Sequence, residues 1–254
     1  MRRTVNILWT GGLDSTFRVA ELSRLDVIVQ PYYIIDPDRP SSGKEMEAIH
    51  NITETIRKDP ATVCELKDLI LVERDQITPD AAITAAYQVL REKYSLGSQY
   101  DWLARFAHSH QLILEIGLEK SPTGKAFNTL DGECTLIEEN KDGVWELLVD
   151  QSQSSKEANI IFGQLRFPKV LWDTDKVAEV KKMREMGLEK IVKMTWFCHR
   201  PVMGMTCGHC NPCRDALNEG MEWRVSKTGY ALGALRRYTY DPVCTLLHHL
   251  HLMK

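Results

Sequence analysis

"NILWTGGLDSTFRVAEL", residues 6–22, decides how the rest of the chain is read. An apolar run ends in two adjacent glycines, passes through Leu13-Asp14-Ser15 and enters a helical pattern at once. One glycine is enough for a tight turn, so the second needs another reason. A helix N-terminus offers backbone N–H groups with no partner inside the helix, and the positive end of its dipole. Glycines let that backbone close on a ligand. The order strand, Thr10-Gly11-Gly12-Leu13-Asp14-Ser15, helix therefore reads as an anion seat, phosphate being the usual occupant. The plainer reading is a βα turn capped by Asp14 or Ser15. A Walker A loop is excluded, because Gly43-Lys44 runs into Glu45 and Gly124-Lys125 into Ala126, and no G-x-G-x-x-G stands at this turn.

Outward from the turn, residues 5–9 read as a short buried strand and 15–25 as a helix with Phe17, Ala20 and Leu22 inward. A second strand is predicted over 26–36, a Pro/Gly loop over 37–43, and a helix over 44–58 from Met46, Ile49, Ile52 and Ile56. Strand–helix alternation implies a parallel sheet with helical crossovers. Thr78-Pro79-Asp80 opens a helix to about Tyr94, with Pro79 in its first turn. A helix over 100–110 leads to a strand over 111–118. Within 121–165 the pattern changes: "CTLIEENKDGVWELLVD" reads as two antiparallel strands about a Lys-Asp-Gly turn, a hairpin inserted at 128–165. Residues 174–187 form a helix capped by Thr174 and closed by Gly187, and short helices are predicted over 212–220 and 226–238. The expected architecture is α/β: a doubly wound, mostly parallel, Rossmann-like sheet over 1–190, with a small helical lobe over 191–254 that carries the metal site argued below.

The 254 residues are 43% hydrophobic and 26% charged, enough for a full core. A net charge of −3 argues against a protein that coats nucleic acid through a broad basic face. No apolar run approaches the roughly 20 residues of a membrane span, and the stretch behind Arg2-Arg3 is too short for a secretory h-region, so a cytoplasmic protein with no membrane partner is expected.

Seven cysteines without a signal peptide argue against a disulfide framework, and four crowd into "CHRPVMGMTCGHCNPC". The spacing C-x8-C-x2-C-x2-C of Cys198, Cys207, Cys210 and Cys213 suits a closed tetrahedral Zn²⁺ site, with Gly208 and Pro212 fitting its tight turns. Free core cysteines or a redox pair would leave four cysteines in one window unexplained. His199 and His209 lie inside the cluster, where either could replace a cysteine as ligand, and read as bystanders first; Cys64, Cys134 and Cys244 read as buried or incidental.

"TGGLDST" resembles the S-G-G-x-D-S loop of the PP-loop ATP pyrophosphatases, with Thr10 in place of Ser. "TWFCHRP" and "CGHCNPCRDAL" resemble the C-terminal zinc segment of one branch, the 7-cyano-7-deazaguanine synthases, and loop and cluster stand in that branch's order. The resemblance implies cleavage of ATP between its α and β phosphates and adenylylation of a carboxylate, 7-carboxy-7-deazaguanine, which ammonia converts to an amide and a second ATP to a nitrile. It implies a nucleotide seated along Leu8, Trp9, Thr10, Gly11, Gly12, Leu13, Asp14, Ser15 and Thr16. The hydroxyls of Thr10 and Ser15 would hold pyrophosphate, and Asp14 would act near Mg²⁺, which neutralises the departing group in the absence of a Walker lysine. Lys125, Arg166, Lys169 and Lys176 are the candidates for a cation at the α-phosphate, and Lys176 in "DTDKVAEV" resembles the family's late Ser/Thr-Lys helix start. The implied catalytic residues are Asp14, Ser15 and Lys176.

The chain departs from that branch where its substrate is handled. "DPDRPSSGKEME" replaces a Gly-Gln and basic-His stretch, and "LEKSPTGKAFNTLDGEC" replaces a Tyr-Pro-Asp-Cys-Arg segment. This implies a relative with another acceptor, or one that passes the activated deazaguanine carboxylate to an amine on another protein, as would fit a phage-defence gene cluster. A homodimer is one assembly open to it. Two other classes compete. A tRNA-modifying PP-loop enzyme calls for a basic RNA surface, which the charge opposes. A zinc-binding interaction module with a degenerate loop calls for loss of Asp14 or the glycines, and all are present.

Overall fold

The computed structural model describes residues 2–236. Strand β1 (Thr4–Leu8) leads through Thr10–Gly12 into helix α1 (Leu13–Leu22), two residues earlier than its apolar spacing predicts. Strand β2 (Ile28–Ile35) pairs parallel with β1, and α2 (Ser42–Lys58) crosses back over it. Two short strands that the sequence does not signal, β3 (Glu65–Leu66) and β4 (Ile70–Glu73), both pair parallel with β2 and end the sheet on that side. Helix α3 (Ala81–Tyr94) is capped by Asp80, whose carboxylate accepts from Ala82 N and Ile83 N. Pro79 thus lies before the cap and not in the first turn. Helix α4 (Gln99–Ser109) feeds β5 (Leu114–Glu115), far shorter than the predicted 111–118; Gln111 takes a left-handed turn at φ 53°, which delays the start of the strand.

Strand β5 returns to the other side of β1, parallel to it, and the sheet order is β3-β2-β1-β5 from its edge to this point. The chain therefore winds outward from β1 in both directions. The carboxyl ends of β1 and β5 form the switch point at which open α/β sheets leave a crevice.

Helix α5 (Lys125–Glu133) precedes the predicted hairpin, β6 (Leu136–Lys141) and β7 (Val144–Val149), whose two-residue turn has Asp142 and Gly143 at φ 56° and 81°. Both positive φ values match the twist that a two-residue hairpin needs. Helix α6 (Lys156–Phe162) follows, then β8 (Leu165–Pro168), which pairs parallel with β5 and antiparallel with β7. The hairpin is thus the antiparallel end of the main sheet and not an excursion from it. A single turn α7 (Lys169–Trp172) leads to α8 (Lys176–Glu185). Asp175 caps α8 by accepting from Ala178 N, while the expected cap, Thr174, donates back to Val170 O. Gly187 does close this region, at φ 76°. Helices α9 (Glu189–Met194) and α10 (Asn211–Asn218) flank the cysteines, and residues 227–236 are helical. The predicted ends of that last helix and of the lobe, with Cys244, lie outside the described residues.

Alternation along the strands builds two cores. Val5 and Ile7 of β1 and Val29 and Tyr33 of β2 pack with α1, α2, α8 and α9 on one face of the sheet. Leu8, Tyr32 and Ile34 turn to the other face, with α3, α4 and α6. Ala216, Met221 and Val225 from the C-terminal segment belong to the first core. One buried ion pair spans the layers: Arg18 of α1, 1% exposed, donates its Nε to Glu115 of β5 at 2.9 Å. It clamps the start of α1 to the strand across the switch point.

Candidate functional site: a cleft at a helix start beside a four-cysteine cluster

At the switch point lies a cleft of about 440 Å³, lined by Leu8 and Thr10 after β1, Gly12–Ser15 at the start of α1, and Ile116 and Gly117 after β5. The two glycines differ in their reasons. Gly11 sits at φ 69°, and a Cβ there would meet Glu45 O of α2 at 2.9 Å, so both conformation and space require glycine. Gly12 has an ordinary φ of −73° and a side chain there would find only ordinary contacts; it serves as N-cap without a capping side chain. The first helical bond runs from Thr16 N to Gly12 O, which leaves the N–H groups of Leu13, Asp14 and Ser15 with no intrahelical partner. Gly117 brings its backbone against them: a Cβ on it would stand 3.6 Å from Ser15 N.

Of the residues expected to seat the ligand, Leu8, Thr10, Gly12, Leu13, Asp14 and Ser15 line the cleft. The Thr10 and Ser15 hydroxyls lie 3.4 Å apart. Trp9 and Thr16 do not reach it: both are fully buried, and Trp9 Nε1 donates to Thr16 Oγ1 at 3.0 Å. Their side chains brace the turn from behind. Among the four cations considered, only Lys176 lines the cleft. Lys169 pairs with Glu138 and Asp173 on the sheet's hairpin side, Arg166 donates to the backbone of Gly163 and Leu165, and Lys125 opens α5.

Lys176 is held by Glu119, a residue the sequence offers no reason to single out. Burial disfavours its charge, but Asp14 and Glu119 outweigh burial and raise its pKa. One turn later on α8, Glu179 is fully buried with neither carboxyl oxygen hydrogen-bonded. Burial first, and the Asp14 charge second, push its pKa up to about 9, so it is a neutral acid behind the cleft. The lining also carries Arg39, Glu45, Gln99, Tyr100, His199 and Arg224. Glu45 is fixed there by Tyr33 Oη, Ser41 Oγ and Arg39 Nε at 3.0, 2.6 and 2.8 Å. Leu8, Leu103 and Ile116 add apolar atoms to the same lining. The lining thus combines the unpaired N–H groups of α1 with charged and apolar side chains.

The four predicted cysteines converge. Their sulfur atoms all lie within 4.8 Å of one another, with Cys207–Cys213 and Cys198–Cys210 both at 3.9 Å. A tetrahedral ZnS₄ site with 2.3 Å bonds needs sulfurs about 3.8 Å apart, so the set fits a metal such as zinc. Backbone N–H groups of Cys207 and Cys210 point at Cys198 Sγ and Cys207 Sγ, 3.2 and 3.3 Å away, as donors to thiolates would. His209 turns its Nδ1 to Cys207 O at 3.0 Å and stays outside the ligand set. Gly208 is at φ 70°, and a Cβ on it would stand 1.8 Å from Gly229 O, so the knuckle is pressed onto the helix at 227–236. The centre reaches the cleft through three residues: Trp196 N donates to Gly11 O at 2.8 Å, immediately ahead of Phe197 and Cys198. Cys64 and Cys134 lie apart, half-buried, with thiol pKa values raised by burial to about 11 and about 12.

Among the described residues, no helix is long and apolar enough to cross a membrane. Comparison of the chain with models of protein families and with curated proteins finds no match.

Proposed function

We propose that the chain is an ATP-dependent carboxylate-activating enzyme with a PP-loop, in the manner of the 7-cyano-7-deazaguanine synthases. The observation that carries this reading is the turn Thr10–Ser15. It joins β1 to α1 at the switch point, leaves three N–H groups of α1 unpaired inside the helix, and is braced by the residue two before Cys198. In this reading the N–H groups of Leu13, Asp14 and Ser15, with the Thr10 and Ser15 hydroxyls, hold the pyrophosphate portion of ATP. Asp14 would hold Mg²⁺, which supplies charge neutralisation of the leaving group. Lys176, whose charge the Asp14 carboxylate favours, would stabilise the phosphorus under attack. Leu8, Leu103 and Ile116 would take a flat heterocycle. The attacking oxygen belongs to the acceptor's carboxylate; its bond to the α-phosphorus forms as the bond to pyrophosphate breaks, and a nitrogen nucleophile then displaces AMP.

Pyrophosphate release from Mg·ATP, with and without 7-carboxy-7-deazaguanine, tests this. Acid-dependent release in the native chain, lost in Asp14→Ala with zinc content and melting unchanged, is the expected result. Release that is unaltered by Asp14→Ala removes the turn from the mechanism. An amide or nitrile product identifies ammonia as the nucleophile, whereas AMP-ester without onward reaction identifies an amine on a partner protein.

A further inference from the structure

We propose that Arg224 is a phosphate-binding residue of the cleft, carried in from the cysteine centre; this rests on the nucleotide reading above. Arg224 follows α10, in a single 3-10 turn over Glu222–Arg224, and lines the cleft. Its Nη2 donates to Thr195 Oγ1 at 2.8 Å, and that hydroxyl is itself pinned by donating to Val192 O. The guanidinium lies over the Phe197 ring, 4.4 Å from its centre. Thr195 and Phe197 flank Trp196, whose N–H holds Gly11 O, so one three-residue strip fixes both the guanidinium and the anion turn. Their relative positions are set before any ligand arrives, which is what preorganised charge stabilisation requires.

The charges argue for a missing anion. Lys176 comes with its own carboxylate, Glu119. Arg224 has no carboxylate within ion-pair distance among the described residues; Asp14, Glu179 and Glu219 act on it only through space. Burial opposes its charge and lowers its pKa, and the through-space pull of the nearby carboxyl groups does not offset it. A half-buried guanidinium with one fork arm committed to a hydroxyl is costly to keep unless a ligand completes it. The ligand seat opposite is an anion seat, and a planar fork suits two phosphate oxygens.

Mg·pyrophosphate and Mg·ATP binding by calorimetry, with adenosine as a third probe, tests the assignment in the full-length chain. Arg224→Gln is expected to weaken both phosphate ligands roughly tenfold to a hundredfold, the value of a hydrogen bond to a charged group, while leaving adenosine binding, zinc content and melting as they are. Should that variant lose zinc, Arg224→Met, which keeps a stem against Phe197, takes its place with the same expectation. Wild-type affinity for pyrophosphate in the folded variant overturns the assignment and leaves the nucleotide reading standing. A native chain that binds neither Mg·ATP nor pyrophosphate overturns both.

Discussion

Glu179 is the residue whose behaviour is easiest to overlook, since a glutamate in "DKVAEVKK" reads as a solvated helix face. It is fully buried, without hydrogen bonds, and holds its proton up to about 9 against an ordinary 4.5. Below pH 4.5 the folded and unfolded chains both carry that proton, and the group's stabilising share is fully present. As pH rises from there toward about 9 the unfolded chain releases a proton that the folded chain retains, so stability falls through that window and levels off above it. Glu179→Gln removes this slope. Melting curves from pH 5 to pH 9, without nucleotide or Mg²⁺, should show the native chain losing ground to the variant as pH rises; parallel curves would mean that the carboxyl is ionised or solvated. The same scale explains the two glycines. Gly11 is imposed by backbone geometry and by Glu45 O, whereas Gly12 leaves the helix start uncovered.

At the scale of elements, the cysteine segment acts as a brace. Four sulfurs at about the separation of a ZnS₄ tetrahedron tie the start of α10 to the strip 195–198, and that strip holds the anion turn. Structural zinc contributes folding free energy directly, on the order of 10–16 kcal/mol in small zinc peptides at neutral pH. Cys210→Ser should therefore lower zinc content, depress the melting temperature and, through Trp196 and Arg224, weaken pyrophosphate binding. Full zinc occupancy with normal melting would remove Cys210 from the ligand set. Strand elements show the reverse situation: β3 and β4 have two and four residues and take their form from their neighbours, so no periodicity announces them, and β5, expected over 111–118, keeps only two residues.

Across the whole molecule, the cleft exists because β5 returns beside β1 and α1 is locked to it. Arg18 and Glu115, each 1% exposed, make that lock, and Glu146 of β7 lies next in the network with Arg3 as its partner. Removing one partner of a buried pair strands the other, which typically costs about 3–5 kcal/mol. Arg18→Met should cost a comparable amount in denaturant unfolding, because Glu115 would be left beside Glu146 with no guanidinium between the layers. A change below about 1 kcal/mol, the range of a surface pair, would show that solvent reaches Glu115.

The sequence by itself determined what is local. The strand-turn-helix at 6–22, the Asp142-Gly143 hairpin and the four-cysteine spacing all have geometry set by residues a few positions apart, and the structure realises each. Tertiary structure alone decided which side chains share the cleft. Glu45, Gly117 and Arg224 line it from three separate segments, Glu119 and Glu179 stand behind Lys176 and Asp14, and nothing in their own neighbourhoods marks them. It also withdrew Trp9 and Thr16 into the core and chose Lys176 from four cations. The physical reason is that turn conformation and ligand spacing are short-range properties of the chain. Convergence at a switch point depends instead on the order in which strands join the sheet, and burial is a property of the assembled layers.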